Sequence, residues 1–241
     1  MATVEDHYER HLAPVYLWMA GGFADAIARG EKDLDAIPCE TTKNLTAVDL
    51  GAGFGLHAIP LARRGYQVLA VDSSALLLEE LQNHANGLPI VSVVGDLLSF
   101  PQHLKTRADL ILCMGDTLTH LKHADDVLRL FSLAAEWLAP TGTFVATLRD
   151  YASPLLGPAR FIPVRSDEHR IHTCFLEYQS DIVMVHDILH ERVDSTWRQR
   201  VSAYPKLRLS PEWITQSLKQ CGFSVRVEAA FNGMLRVVAL R

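Results

Sequence analysis

Between residues 48 and 58 the chain reads Val48-Asp49-Leu50-Gly51-Ala52-Gly53-Phe54-Gly55-Leu56-His57-Ala58, with three glycines at alternate positions behind an apolar run. Glycines there let the backbone turn sharply and approach a ligand closely, and a helix starting just beyond offers free N–H groups to a carboxylate or phosphate. Further on, Val71-Asp72-Ser73 sets a carboxylate at the end of a second apolar run, where it can accept hydrogen bonds from both hydroxyls of a ribose. Gly95-Asp96-Leu97 sets another at the end of a third, within reach of an adenine amino group. Either aspartate alone reads as readily as a helix cap or turn residue. In order with Asp49 and the glycines, they make a series that a bare strand-to-helix turn does not predict. A dinucleotide fingerprint asks for glycine or alanine three places after Gly53, and Leu56 stands there, so the spacing leans away from NAD.

These residues need strands to carry them. Thr46–Leu50, Gln67–Val71, Ile90–Val94, Leu110–Met114 and Phe144–Leu148 read as strands buried on both faces, and helical patterns alternate with them. That alternation predicts a doubly wound α/β fold with a mostly parallel sheet. Ser73 and Ser74 suit the start of a helix carrying Leu77, Leu78 and Leu81, which Asn86-Gly87 stops. Asp125 and Asp126 suit the N-terminus of a helix through Leu128, Phe131, Ala135 and Leu138, ended by Pro140 and Gly142. Ser210-Pro211 opens a further helix and Gly222 closes it.

Two segments break the alternation within what reads as one domain over residues 1–241. Residues 1–40 form a helical leader with Tyr8, Leu12, Tyr16, Trp18 and Met19 ahead of Gly21-Gly22. Residues 160–204 form an antiparallel insertion whose strands are Ile171–Tyr178, Ile182–Glu191 and Thr196–Tyr204. Ligands of open α/β sheets bind beyond the C-terminal strand ends, so both additions are expected to shape a substrate pocket there.

The 241 residues are 49 % apolar, ample for a buried core, and carry a formal net charge of −5 with Lys and Arg scattered, which argues against nucleic acid as a partner. The N-terminal residues lack the pattern of a secretory signal and no apolar run suits a membrane span, so a cytoplasmic location is expected. Cys39, Cys113, Cys174 and Cys221 make no C-x-x-C pair and read as buried free thiols. The histidines near the insertion, His169, His172, His186 and His190, have no tight ligand spacing and read as surface or strand residues, with no metal assigned.

With these residues in hand, Leu45 to Leu148 resembles the class I S-adenosylmethionine-dependent methyltransferases. The resemblance implies a Rossmann-like, seven-stranded sheet, with the Gly51 to Gly55 loop on the methionine part of S-adenosylmethionine, Asp72 on the ribose, and Asp96 and Leu97 on the adenine. Asp49, Ala52, Ser73, Gly95, Met114 and Gly115 complete the cofactor set. Cys113-Met114-Gly115-Asp116-Thr117-Leu118-Thr119-His120-Leu121 is similar to the fourth-strand segment of glycine N-methyltransferase-like enzymes, and Arg149-Asp150-Tyr151 echoes an arginine-containing segment there. This implies a small-molecule acceptor, an amine favoured, and S-adenosylhomocysteine as product.

Methyl transfer chiefly needs an acceptor lone pair aligned behind the methyl carbon with water excluded. An amine must also lose a proton, and His120 is the first candidate to receive it, directly or through water, with Asp116 or a tyrosine as alternatives. His120 reads equally as a cap or core residue. Tyr8, Tyr16 and Trp18 read as core or as a lid, and Arg149 and Tyr151 as substrate contacts or structural partners. Two rival readings stand beside this one: an NAD(P)-dependent oxidoreductase, and a noncatalytic protein that keeps the fold.

Overall fold

The computed structural model describes residues 3–38 and 45–241; Cys39 and the last residue of the expected leader lie outside the described residues. The leader is a broken helix: α1 (Val4–His7), a π turn (Tyr8–Leu12), a 3-10 turn (Ala13–Val15) and α2 (Tyr16–Met19). Pro14 explains the break, because it donates no hydrogen bond and its ring crowds the carbonyl four residues back, so the coil widens before it and tightens around it. Gly21 and Gly22, both at φ +92°, then redirect the chain into α3 (Phe23–Asp35).

The alternating segment follows as β1 (Thr46–Leu50), α4 (Ala58–Arg63), β2 (Gln67–Asp72), α5 (Ala75–Ala85), β3 (Ile90–Val94), β4 (Ala108–Cys113), α6 (Ala124–Trp137) and β5 (Leu138–Leu148). After the insertion come α7 (Pro211–Gln220), β10 (Ser224–Ala229) and β11 (Leu235–Leu240). The seven strands lie in the order β10-β11-β5-β4-β1-β2-β3, and β11 alone runs against its neighbours. The order reverses between β1 and β4, which opens a crevice at their C-terminal ends.

Period-two alternation assigns the side chains to two layers. Val48, Leu50, Val71, Ile111, Cys113, Phe144 and Ala146 pack with Leu130, Phe131 and Ile214 of α6 and α7. Ala47, Val68, Ala70, Leu110, Leu112 and Val145 pack with Leu34, Leu61, Leu78 and Leu81 of α3, α4 and α5. Each fully buried leucine in these layers contributes about 1.5–3 kcal/mol.

The caps follow the sequence closely. Ser74 Oγ accepts from Leu77 N, and Asn86 ends α5 in the left-handed region at φ 46°. Ser210 caps α7 in the same way. Two expectations need correction. β3 is an edge strand rather than one buried on both faces, with Val91 and Val94 64 % and 59 % exposed, because no strand pairs beyond it. In α6 the fully buried stripe is Val127, Leu130, Phe131 and Ala134, so Leu128 and Ala135 sit at its margins and Leu138 already belongs to β5.

The insertion is a separate antiparallel sheet in the order β6-β7-β8-β9, comprising β6 (Phe161–Ser166), β7 (Arg170–Tyr178), β8 (Ile182–Val193) and β9 (Thr196–Leu207). Sequence reading missed β6, whose residues are largely exposed and carry no alternating burial. Tyr151, Leu176, Val183, Val185 and Tyr204 form a small core beneath this sheet, with Val4 and Tyr8 of the leader packed against it.

Candidate active site

The glycine turn is pinned to the neighbouring strand before any ligand is considered. Gly51 N and Ala52 N donate to Val71 O at 2.8 and 3.1 Å. Gly51 has φ +76°, and a Cβ there would lie 2.5 Å from Thr117 Oγ1, so both backbone conformation and space require glycine. Gly53 differs, since at φ +53° a Cβ would find only Leu77 Cδ1 at 4.0 Å: the turn faces open space.

Asp72 stands across that space. Its Oδ2 accepts from Gly53 N and its Oδ1 from Ser74 N, both at 2.8 Å, which leaves lone pairs on each oxygen for further donors. Burial raises its pKa, while the N–H groups of Ser74, Gly53 and Ser73 oppose the shift. Asp96 Oδ1 accepts from Leu98 N at 2.7 Å and so starts the 3-10 turn after β3.

A cleft of about 540 Å³ runs along these strand ends. Gly51, Ala52, Gly53, Asp72, Ser73, Gly95, Asp96, Leu97, Met114 and Gly115 line it, and so do Tyr8, Tyr16 and His120. Its size falls within the roughly 300–1,000 Å³ of small-molecule sites. The remaining candidates sit elsewhere. Asp49 is 1 % exposed beneath the turn, its Oδ2 has no hydrogen-bond partner, and burial pushes its pKa up to about 6. Gly55 is a packing position, where a Cβ would lie 3.0 Å from side-chain atoms of Ile59 and Leu81.

At the far end of the cleft the leader and the insertion meet the segment after β4. The His120 ring lies 5.3 Å from Tyr8 and 5.5 Å from Tyr204, and its buried Nε2 has no hydrogen-bond partner among the described residues. Burial drives its pKa well down, and Lys206 and His7 add to this, so the imidazole is neutral near pH 7 with a lone pair to offer. Burial also raises the Tyr8 and Tyr16 pKa values, the latter to about 12, so both keep their hydroxyl protons.

Asp116 is a different case. It is 4 % exposed, at φ 72°, and accepts from Arg149 N, Tyr151 Oη and Lys206 Nζ. Those bonds lock β5 and β9 to the end of β4 and keep Asp116 off the cleft wall. Tyr151 is buried in that network, and Arg149 Nη1 reaches out to Asn232 O at 3.0 Å. Trp18 likewise faces away: its Nε1 donates to Asp167, and the guanidinium groups of Arg165 and Arg170 each lie 5.7 Å from its ring. It fastens the leader to the insertion.

Sequence reasoning missed several cleft residues, among them Phe54, Leu77, Leu98, Thr117, Lys122 and Arg129. Leu77 and Leu98 each lie within the first turn after an acidic strand tip, a signal that extending the strand-end argument by four residues would have caught. Lys206 carried no local signal, because its partner is 90 residues away. Of the insertion histidines, His172 stands on β7, where it is 1 % exposed and bonded to Asp187.

Residues 47–142 match the family model described as a methyltransferase domain. Two curated relatives are glycine/sarcosine N-methyltransferases. The protein of Aphanothece halophytica is 27 % identical over 106 residues, 43 % of this chain and 40 % of the relative. That of Halorhodospira halochloris is 25 % identical over 150 residues, 61 % and 56 % of the respective lengths. The chain thus spans about half the length of these relatives. Among solved structures, the CcbJ methyltransferase from Streptomyces caelestis superposes with a TM-score of 0.78 over 98 % of both chains at 22 % identity. The chain has the class I S-adenosylmethionine-dependent methyltransferase fold.

Proposed function

We propose that this chain is an S-adenosylmethionine-dependent methyltransferase acting on a small-molecule acceptor, with an amine favoured. The observation that carries the reading is the continuity of one cleft from the glycine turn and Asp72 to Tyr8, Tyr16 and His120. The fit is physical: the open face of Gly53 admits the amino-acid part of the cofactor, the free lone pairs of Asp72 suit the ribose hydroxyls, and Asp96 with Leu97 and Leu98 suits the adenine. Bound there, the cofactor supplies a methyl group already activated by its sulfonium.

The chain's own residues supply position and dryness. Tyr8 and Tyr16 of the leader and Pro205 of the insertion line the cleft beside His120, and an acceptor would be held on that side. The neutral His120 imidazole receives the proton that an amine sheds on methylation. Its free Nε2 makes it a better candidate than Asp116, whose oxygens are engaged by Tyr151, Lys206 and Arg149 N. The amine preference draws support from the relatives named as N-methyltransferases.

Isothermal calorimetry tests the reading. S-adenosylmethionine and S-adenosylhomocysteine should bind and NADH should not. Asp72→Ala should weaken binding by roughly 1.5–3 kcal/mol, the value of a hydrogen bond to a charged group. Heat with NADH and none with either S-adenosyl compound overturns it.

A further inference from the structure

Between the leader and the insertion sheet lies a group of side chains that the proposed reaction does not use. On β7, His172 and Cys174 are two residues apart and share a face, and Cys174 pairs directly with Asp187 on β8. Asp187 Oδ1 receives His172 Nε2 at 2.7 Å and Cys174 Sγ at 2.8 Å, with 4.0 Å between the last two atoms. From the leader, His7 Nε2 reaches the other oxygen, Oδ2, at 2.8 Å. His7, His172 and Asp187 are each at most 2 % exposed.

Charge makes this cluster unusual. Among the described residues, the ion-pair partners of Asp187 are only the two histidines, so its buried carboxylate faces no Lys or Arg at contact distance. Hydrogen bonds from His172, Cys174 and His7 compensate this buried charge instead. A divalent ion with one carboxylate, one thiolate and a neutral imidazole sums to zero. Nitrogen, sulfur and oxygen donors together suit zinc-like ions rather than the all-oxygen preference of calcium or magnesium. Tetrahedral zinc sets such donor atoms about 3.3–3.6 Å apart, so the three atoms seen here need shifts of less than about 1 Å.

We propose that His172, Cys174 and Asp187 form a binding site for a zinc-like divalent ion, which the His7 contact with Asp187 couples to the leader. On binding, the Cys174 thiol gives its proton to solvent and its sulfur coordinates the ion. The His172 ring moves its proton from Nε2 to Nδ1, which no other described residue engages, and Nε2 coordinates. Asp187 coordinates through Oδ1 while His7 continues to hold Oδ2, the arrangement by which outer partners orient metal ligands.

The full chain, stripped by dialysis against a chelator, should be titrated with Co²⁺ and with Zn²⁺. About one equivalent of Co²⁺ should bind with a thiolate-to-metal charge-transfer band, as expected of a single Cys ligand. Cys174→Ser should lose that band and bind about tenfold more weakly or worse. Against misfolding of the variant, wild-type protein alone gives a second readout: by mass spectrometry, Zn²⁺ should slow alkylation of Cys174 by about tenfold or more and leave Cys221 unchanged. Absence of the thiolate band, or equal Cys174 alkylation with and without Zn²⁺, overturns the site.

Discussion

Asp49 is buried beneath the glycine turn and His120 is half-buried on the cleft, and loss of solvent moves them in opposite directions because it disfavours the charged form of each. For Asp49 the effect reads directly as stability. Its folded pKa is about 6 against an ordinary 3.8, so the folded chain holds the proton more tightly than the unfolded one. The resulting stabilisation is complete below about pH 4 and is lost as pH rises through 6. That difference corresponds to about 3 kcal/mol. Asp49→Asn, which cannot titrate, should therefore gain stability relative to wild type by on the order of 2–3 kcal/mol between pH 4 and pH 7. Urea melts across that range measure it, and a pH-independent difference would show that the carboxylate does not titrate there.

At His120 the corresponding experiment is kinetic. If its Nε2 receives the acceptor's proton, His120→Ala should lower kcat by about a hundredfold or more while S-adenosylmethionine affinity stays within about twofold. A parallel loss of cofactor affinity would place the ring on the cofactor instead.

At the level of elements, glycines with quite different duties are packed into one corner. Gly30 in α3 lies against the turn after β1 so closely that a Cβ would fall 1.9 Å from Leu56 O. Backbone cannot yield there without moving the helix, so Gly30→Ala should cost about 2–3 kcal/mol. Gly53→Val meets no such obstacle and pays chiefly left-handed strain, about 1–2 kcal/mol, but its side chain projects into the cleft. Denaturant melts paired with calorimetry should separate the two. Gly53→Val is expected to stay folded and lose cofactor binding, whereas Gly30→Ala should lose more stability and keep measurable affinity. The reverse pattern would mean that the cofactor does not approach the turn.

For the molecule as a whole, the seam between the two sheets rests on one buried ion pair, Lys206 of β9 with Asp116 after β4, both under 10 % exposed. Lys206→Met leaves the Asp116 charge with only Tyr151 and the Arg149 amide, and should destabilise by about 3–5 kcal/mol. Adding Asp116→Asn to that variant should restore most of the loss, since the pair then leaves together. Thermal melts of the single and double variants test this. An unaffected Lys206→Met protein would show that the seam is held without the ion pair, by the apolar contacts of Tyr151, Leu176 and Tyr204 and the Arg208 hydrogen bonds to Tyr151 O and Ala152 O.

What the sequence determined by itself was short-range. The five parallel strands, the caps at Ser74, Asn86 and Ser210, and the acidic strand tips at Asp72 and Asp96 follow from period, turn chemistry and position along an alternating pattern. The Gly51–Gly53 turn was legible for the same reason: a positive φ strongly favours glycine, and both residues adopt one. Tertiary structure decided which polar residues face the cleft and which face each other. Asp116 and His120 sit four residues apart in one segment, yet Lys206, 90 residues downstream, claims Asp116 and leaves the Nε2 of His120 free. Trp18 turns from lid candidate to fastener because Asp167 and two arginines arrive from the insertion. His7, His172, Cys174 and Asp187 converge across up to 180 residues of chain. Spacing along a strand or helix is set by backbone geometry, which each segment carries locally, whereas the partner of a buried charge is chosen by the packing of distant elements.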